Sequence, residues 1–286
     1  MTRAGRRFVA NRGAVIGAVL VVVLAIIAII PHRDPIAIDI DHGLSAVGAP
    51  LAPSSDALLG TDHLGRDVWA RVASGAKTSL GIALAATLIS IALGVAIGLA
   101  AGYAGGRLDS VLMRVVDLVV AFPFLLLAIF LAALFRSSDL ASSSGPAIIA
   151  LGVVGWPTLA RVVRGKAMII ARSDYVLCAR NLGASSFRIV IRHVLPNLAG
   201  AVLVIGALDF AWNLLAESAL AYLGLGVPPP APSWGRMVFE GREYYRTAPW
   251  LILAPGVAIV VAVAAFQLIA DGLRDAVDAK DVRWPR

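Results

Sequence analysis

Apolar runs separated by short charged intervals recur along the whole chain. Six stretches carry no Asp, Glu, Lys or Arg: 13–31, 78–106, 118–135, 140–160, 193–208 and 247–270. The fifth continues apolar to about Leu223, interrupted by Asp209 and Glu217. A bilayer core takes roughly 20 helical residues, and each stretch supplies that with modest trimming. The pattern predicts an all-α membrane protein with six transmembrane helices. No period of 20–50 residues recurs, so no repeat architecture is expected.

Composition agrees with the pattern. The 286 residues are 59% hydrophobic and only 15% charged, with a mean hydropathy of +0.84. A water-soluble core cannot absorb that much apolar surface. The net charge of +7 would suggest nucleic acid in a polar protein. Here the basic residues fall between apolar runs, where they set topology instead. The single cysteine, Cys178, excludes an intrachain disulfide and a cysteine-cluster metal site.

Arg3, Arg6, Arg7 and Arg12 precede the first run, and "AIIAIIPHRDP" after it offers no small-x-small cleavage site. The run reads as an uncleaved signal anchor. With the N-terminus inside, 17 Lys and Arg fall on cytoplasmic segments and 8 on outer ones. Both termini are therefore expected in the cytoplasm. Residues 32–77, with six Asp, and 224–246, with "GVPPPAPSWGRM", are expected outside. The chain divides into 1–77 (tail, first helix, outer segment) and a five-helix core, 78–286, that includes a long cytoplasmic loop, 165–196.

That loop holds "ARNLGASSFRIVIRHVLPN" (179–197) and reads as two short helices. Ser173 or Asp174 can cap the first, Tyr175–Leu182, and Gly183 can end it in the left-handed region. Ser185 or Ser186 can cap the second, which runs toward Pro196 and into the fifth membrane helix. Tyr175, Cys178, Ala179 and Leu182 share one face of the first helix, with Arg180 elsewhere. So short a helix is marginal in water and must dock. The residues alone leave two readings open: docking on this chain or the headgroups, or docking on a partner.

Other motifs are weighed against simpler readings. "SGAKTSL" (74–80) resembles the end of a phosphate loop but has Ala76 before Lys77 and lacks the upstream glycine. "TDHLGRD" (61–67) gathers Asp62, His63 and Asp67; without a second cluster it reads as a lead into the second helix, Asp62 capping and Gly65 turning. Gly94 and Gly98 permit close helix packing, between two chains or within this one. Asp209, Asn213 and Glu217 recur at intervals of four. Counted from Asn197, Asp209 lies about 18 Å in and Glu217 about 30 Å. They are candidates for a pathway or gate, or for hydrogen bonds to a neighbouring helix. Asp117, near the inner end of the third helix, needs no special role.

The loop at 165–196 resembles the EAA loop of ABC importer permeases, in which a Gly is followed some ten residues later by "H-hydrophobic-L-P"; Gly183, His193, Leu195 and Pro196 occupy those places. "LGTDHLGRDVWARVASGAKTSL" (59–80), "GGRLDSVLMRVVDLVVAFPFLLLAI" (105–129), "GWPTLARVVRG" (155–165), "ESALAYLGLGVPPPAPSWGRM" (217–237) and "DGLRDAVD" (271–278) are similar to the C-type permease subunit of dipeptide, oligopeptide and nickel importers. The resemblance runs in order from Leu59 onward.

It implies a type I importer permease fold with a cytoplasmic coupling helix, in a bacterial or archaeal inner membrane. It also implies a heterodimer with a second permease, two cytoplasmic ATPases that bind ATP and Mg, and an extracytoplasmic substrate-binding protein. The chain itself would bind no metal, cofactor or nucleic acid and would not be an enzyme. Tyr175, Cys178, Ala179, Arg180, Leu182, Gly183, Ala184, Ser185, Arg188, His193 and Pro196 would form the surface seated in the ATPase. Leu177 stands where the family has Glu, so docking there rests on packing. Short peptides are the expected substrate, with nickel the alternative. A proton-coupled secondary transporter using Asp209 and Glu217 is a reading from another class.

Overall fold

The computed structural model describes residues 3–30, 33–136 and 144–278. The described residues hold no strand, only isolated bridges at Leu44–Pro50 and Thr61–Asp67. The part of the fourth apolar run before Ser144 and the last basic residues, Lys280, Arg283 and Arg286, lie outside the described residues.

Helices α1 (Arg3–Ala10) and α2 (Arg12–Ile29) meet at Asn11, whose side chain accepts from the Ala14 amide. Asn11 Nδ2 also donates to Asp275 Oδ2 at 2.8 Å, tying the first membrane helix to the last. A single turn, α3 (Ile40–Gly43), follows, then α4 (Val68–Ala104), whose 37 residues extend about 55 Å. Asp67 caps α4 by accepting from the Ala70 amide. This helix starts well before the uncharged run at 78, and Arg71, inside it, pairs with Asp62 and Glu240.

The third predicted span is bent. Helices α5 (Gly106–Val120) and α6 (Phe124–Phe135) meet at 88°. Pro123 stands at the N-cap of α6, where it supplies no amide and disfavours helix in the residue before it. The described residues thus contain five helices fit to cross a membrane, or six if the bent pair is one span. Helix α7 (Gly145–Ala171) precedes α8 (Asp174–Asn181), and α9 (Ser186–Ile189) leads through a π-helical turn, Val190–Val194, into α10 (Leu195–Tyr222). A short α11 (Trp234–Gly241) and a 3₁₀ turn at Arg242–Tyr244 precede α12 (Trp250–Asp278).

Helix α4 packs along α7. A Cβ on Gly94 would stand 2.9 Å from Leu159 Cβ, and one on Gly102 2.5 Å from the Arg164 carbonyl oxygen; Gly98 abuts the Ala160 carbonyl in the same way. The small-residue seam is therefore an intrachain contact, which the sequence left open. Without a hydrophobic force between helices in lipid, such close approach is what holds them. Asp109 and Asp117 of α5 join Arg164 (Oδ2–Nη2, 2.7 Å) and Arg161 (2.7 Å) of α7.

Candidate functional site

The loop at 172–197 is built much as its residues require. Ser173 is the N-cap residue of α8, though its hydroxyl donates back to the Ile170 carbonyl at 2.6 Å rather than capping. Gly183 has φ +81. Its amide donates to Arg180 and that of Ala184 to Ala179, both at 3.0 Å: the paired bonds of a glycine-terminated helix. Ser185 accepts from the Arg188 amide and starts α9. Pro196 lacks an amide and its ring crowds the carbonyl of residue 192. The chain widens into the π turn there, with the Leu195 amide on the Val190 carbonyl.

The side of α8 that packs on this chain lies largely off the face shared by Tyr175, Cys178, Ala179 and Leu182. Val176 is the residue fully enclosed, in one cluster with Ile189, Val194 and Leu198 and with Leu159, Val163 and Ala167 of α7. Ala179 and Ala184 are half-buried, whereas Tyr175, Cys178 and Leu182 are exposed. Of the predicted face, only Ala179 turns inward. Leu182 is 88% exposed and Phe187, absent from the predicted set, 77%. The loop is thus anchored to the membrane helices by one side and presents Tyr175, Leu177, Leu182 and Phe187 on the other. Asn197 Nδ2 donates to the His193 carbonyl at 2.6 Å, and the His193 ring lies 6.1 Å from that of Tyr175. Arg180 sits 5.9 Å over the Tyr103 ring at the end of α4.

Along α10 the three polar positions part company. Asn213 is buried and donates to Thr87 Oγ1 of α4 at 3.0 Å. Glu217 is 0% exposed; Ser79, Ser218 and Ser233 surround it, and its Oε1 has no hydrogen-bond partner. The fully buried Trp234 shares Ser79 with it: the Trp234 amide donates to Ser79 Oγ at 3.1 Å and its indole to the Val72 carbonyl at 2.9 Å. Asp209 shows no hydrogen bond to a neighbouring helix among the described residues. Its Oδ2 is buried without a donor, and the side chain lines a cavity of about 350 Å³ with Phe122, Phe124, Thr158 and Trp212.

At the opposite end from α8, residues 61–71 hold a closed ionic cluster. Asp62 Oδ2 accepts from Arg66 Nε at 2.7 Å and pairs with Arg71 at 3.2 Å. Glu240 Oε2 pairs with Arg71 at 2.7 Å and Oε1 with Arg236 at 2.9 Å. Asp62 is therefore a ligand to guanidinium groups and to the Leu64 and Arg66 amides. The helix cap is Asp67, not Asp62; Gly65 turns as expected, with φ +74. His63 stacks on Tyr244 at 5.8 Å. Sequence reasoning missed the cluster. Its one signal was Arg71 inside an apolar helix, and its partner Glu240 lies far away in the chain. Residues 74–80 are regular α-helix and offer no loop of amides to a phosphate.

Residues 94–281 match the family described as binding-protein-dependent transport system inner membrane component. Residues 1–41 match the N-terminal TM domain of oligopeptide transport permease C. The chain is 40% identical to the oligopeptide transport system permease protein OppC of Escherichia coli K12, covering 97% of this chain and 90% of that one. It is 36% identical to OppC of Bacillus subtilis, over 96% and 88%. It is 34% identical to the dipeptide transport system permease protein DppC of Alkalihalophilus pseudofirmus, over 80% and 73%. Among solved structures, an inward-facing form of the MetNI methionine ABC transporter shares the fold: TM-score 0.59 at 18% identity, covering 72% of this chain and 95% of that one.

Proposed function

The chain belongs to the binding-protein-dependent inner-membrane transport components and has the type I ABC importer permease fold, and from that premise we propose that it forms half of the pathway of an ATP-driven importer for short peptides. The names of its relatives support the substrate class. Nickel is the weaker reading, because the mid-membrane cavity offers one carboxylate and aromatic rings rather than a ligand set. A proton relay from Asp209 to Glu217 has no support in the geometry: Asn213 between them is committed to Thr87, and Glu217 is sealed.

The observation that carries the reading is the two-sided loop. Val176 and Ile189 fix it to α7 and α10, so force applied at Leu182 and Phe187 is delivered to the helices lining the cavity. Its partner is a cytoplasmic ATPase, one of two that hold ATP and Mg. Both termini lie in the cytoplasm, and residues 33–67 with α11 face the substrate-binding protein. A second, homologous permease covers the apolar outer faces of α5 and α6, where Leu118 and Phe130 stand more than half exposed.

Tagged chain purified from native membranes tests this. Two ATPase subunits and a second permease should co-purify, and hydrolysis should rise with a peptide-loaded binding protein. A lone chain that moves substrate on a proton gradient without ATP overturns it.

A further inference from the structure

We propose that the groove between α7 and α10 receives a zwitterionic short peptide by its two ends, Asp209 taking the ammonium and Lys166 the carboxylate. This rests on the reading of the chain as a peptide importer subunit and adds the residues that recognise the cargo.

Two cavities of about 350 Å³ lie along the same pair of helices. The first holds Asp209 of α10 and Thr158 of α7; the second holds Ile205 and Ala201 of α10 with Val162 and Lys166 of α7. Thr158, Val162 and Lys166 follow at intervals of four, as do Asp209, Ile205 and Ala201, so each set runs down one face of its helix. Thr158 lies at the cavity of Asp209 and Lys166 at that of Ala201, so the two helices run in opposite directions and the cavities lie one after the other along them.

At one end the groove is acidic. Asp209 Oδ2 is buried with no donor, and no cation among the described residues pairs with the side chain. A carboxylate kept at membrane depth without a partner is costly and awaits one. Trp212 stands half exposed beside it, edge-on to Phe124 with ring centroids 6.0 Å apart. Aromatic faces next to a carboxylate suit an ammonium group.

At the other end the groove is basic. Lys166 has no ion-pair partner among the described residues. Asp271 and Arg274 of α12 line the same cavity with opposite charges, so Lys166 supplies its net positive charge. Eight residues along either helix separate the two ends by about 12 Å. An extended peptide advances about 3.3–3.6 Å per residue, so three or four residues reach from Asp209 to Lys166. Val162, Ile205 and Leu208 line the cavity on the side of Lys166 toward Asp209 and make no demand on side-chain identity.

The test is equilibrium binding of labelled tri-alanine to the purified complex without its binding protein. N-acetyl-tri-alanine and tri-alanine amide are the blocked probes, with Asp209→Asn and Lys166→Gln as variants. Acetylation and Asp209→Asn should each weaken binding about tenfold, the weight of a hydrogen bond to a charged group, and together should weaken it no further. Amidation and Lys166→Gln should behave likewise. Additive losses, or none, overturn the proposal. Should Asp209→Asn fail to assemble, the wild type decides: equal affinity for tri-alanine and its acetylated form overturns it. A complex that imports tri-alanine with its binding protein but does not bind it alone overturns the groove only. One that imports no peptide with its binding protein overturns the peptide reading as well.

Discussion

Arg71 is 1% exposed and reaches Asp62 and Glu240. Replacing it by Met leaves the buried Asp62 and the half-buried Glu240 with one fewer cation between them. Breaking a buried pair by removing one partner costs about 3–5 kcal/mol. We expect Arg71→Met to lower the thermal midpoint of the purified complex more than any surface arginine change does, with Arg242→Met as the reference. Asn213→Ala removes one bond to Thr87 inside the bundle, worth about 0.6 kcal/mol on average among membrane helices; its midpoint should barely move. These two positions show how little the sequence reveals at this scale. Asn213 and Asp209 are adjacent on one helical face and line the same cavity, yet one is bonded and the other open, because Thr87 of α4 reaches the first and no donor reaches Oδ2 of the second.

Glycines separate the elements that must approach closely from those that need only turn. A side chain at Gly98 meets the Ala160 carbonyl and Val163, whereas one at Gly81 meets nothing within 4 Å. Gly98→Val should abolish accumulation of the chain in membranes, and Gly81→Ala should leave it intact; immunoblots of membrane fractions decide. Gly183 is a different case. Nothing lies within 4 Å of its would-be Cβ, so the cost of substitution is conformational alone, about 1–2 kcal/mol for a residue forced to left-handed φ. Gly183→Val should shift the α8–α9 junction and uncouple ATP hydrolysis from uptake while insertion persists. Gly183→Asn, which tolerates that region, should retain coupled uptake. Equal uptake by both variants and the wild type would sink the coupling role. The cap, the glycine turn and the proline were legible in the loop's residues because each acts within a few positions.

Over the whole molecule, one loop presents apolar residues outward at the end of the bundle where it is anchored. Leu182→Glu with Phe187→Glu should leave the chain in the membrane but strip the ATPase subunits from the purified complex; their retention would show that docking lies elsewhere. The sequence by itself determined the all-helical membrane architecture, the number of apolar runs and the outline of the loop at 172–197, because hydrophobic run length, caps and turn residues act locally. The bend at Pro123 could have been read from its residues, but its 88° angle could not. Only the tertiary structure decided that α8 buries Val176 rather than Tyr175 and Leu182, that Glu217 is sealed while Asp209 is open, and that Arg71 finds Glu240 across the chain. Each of those depends on which helix packs against which face, and that is fixed by contacts between residues far apart in sequence.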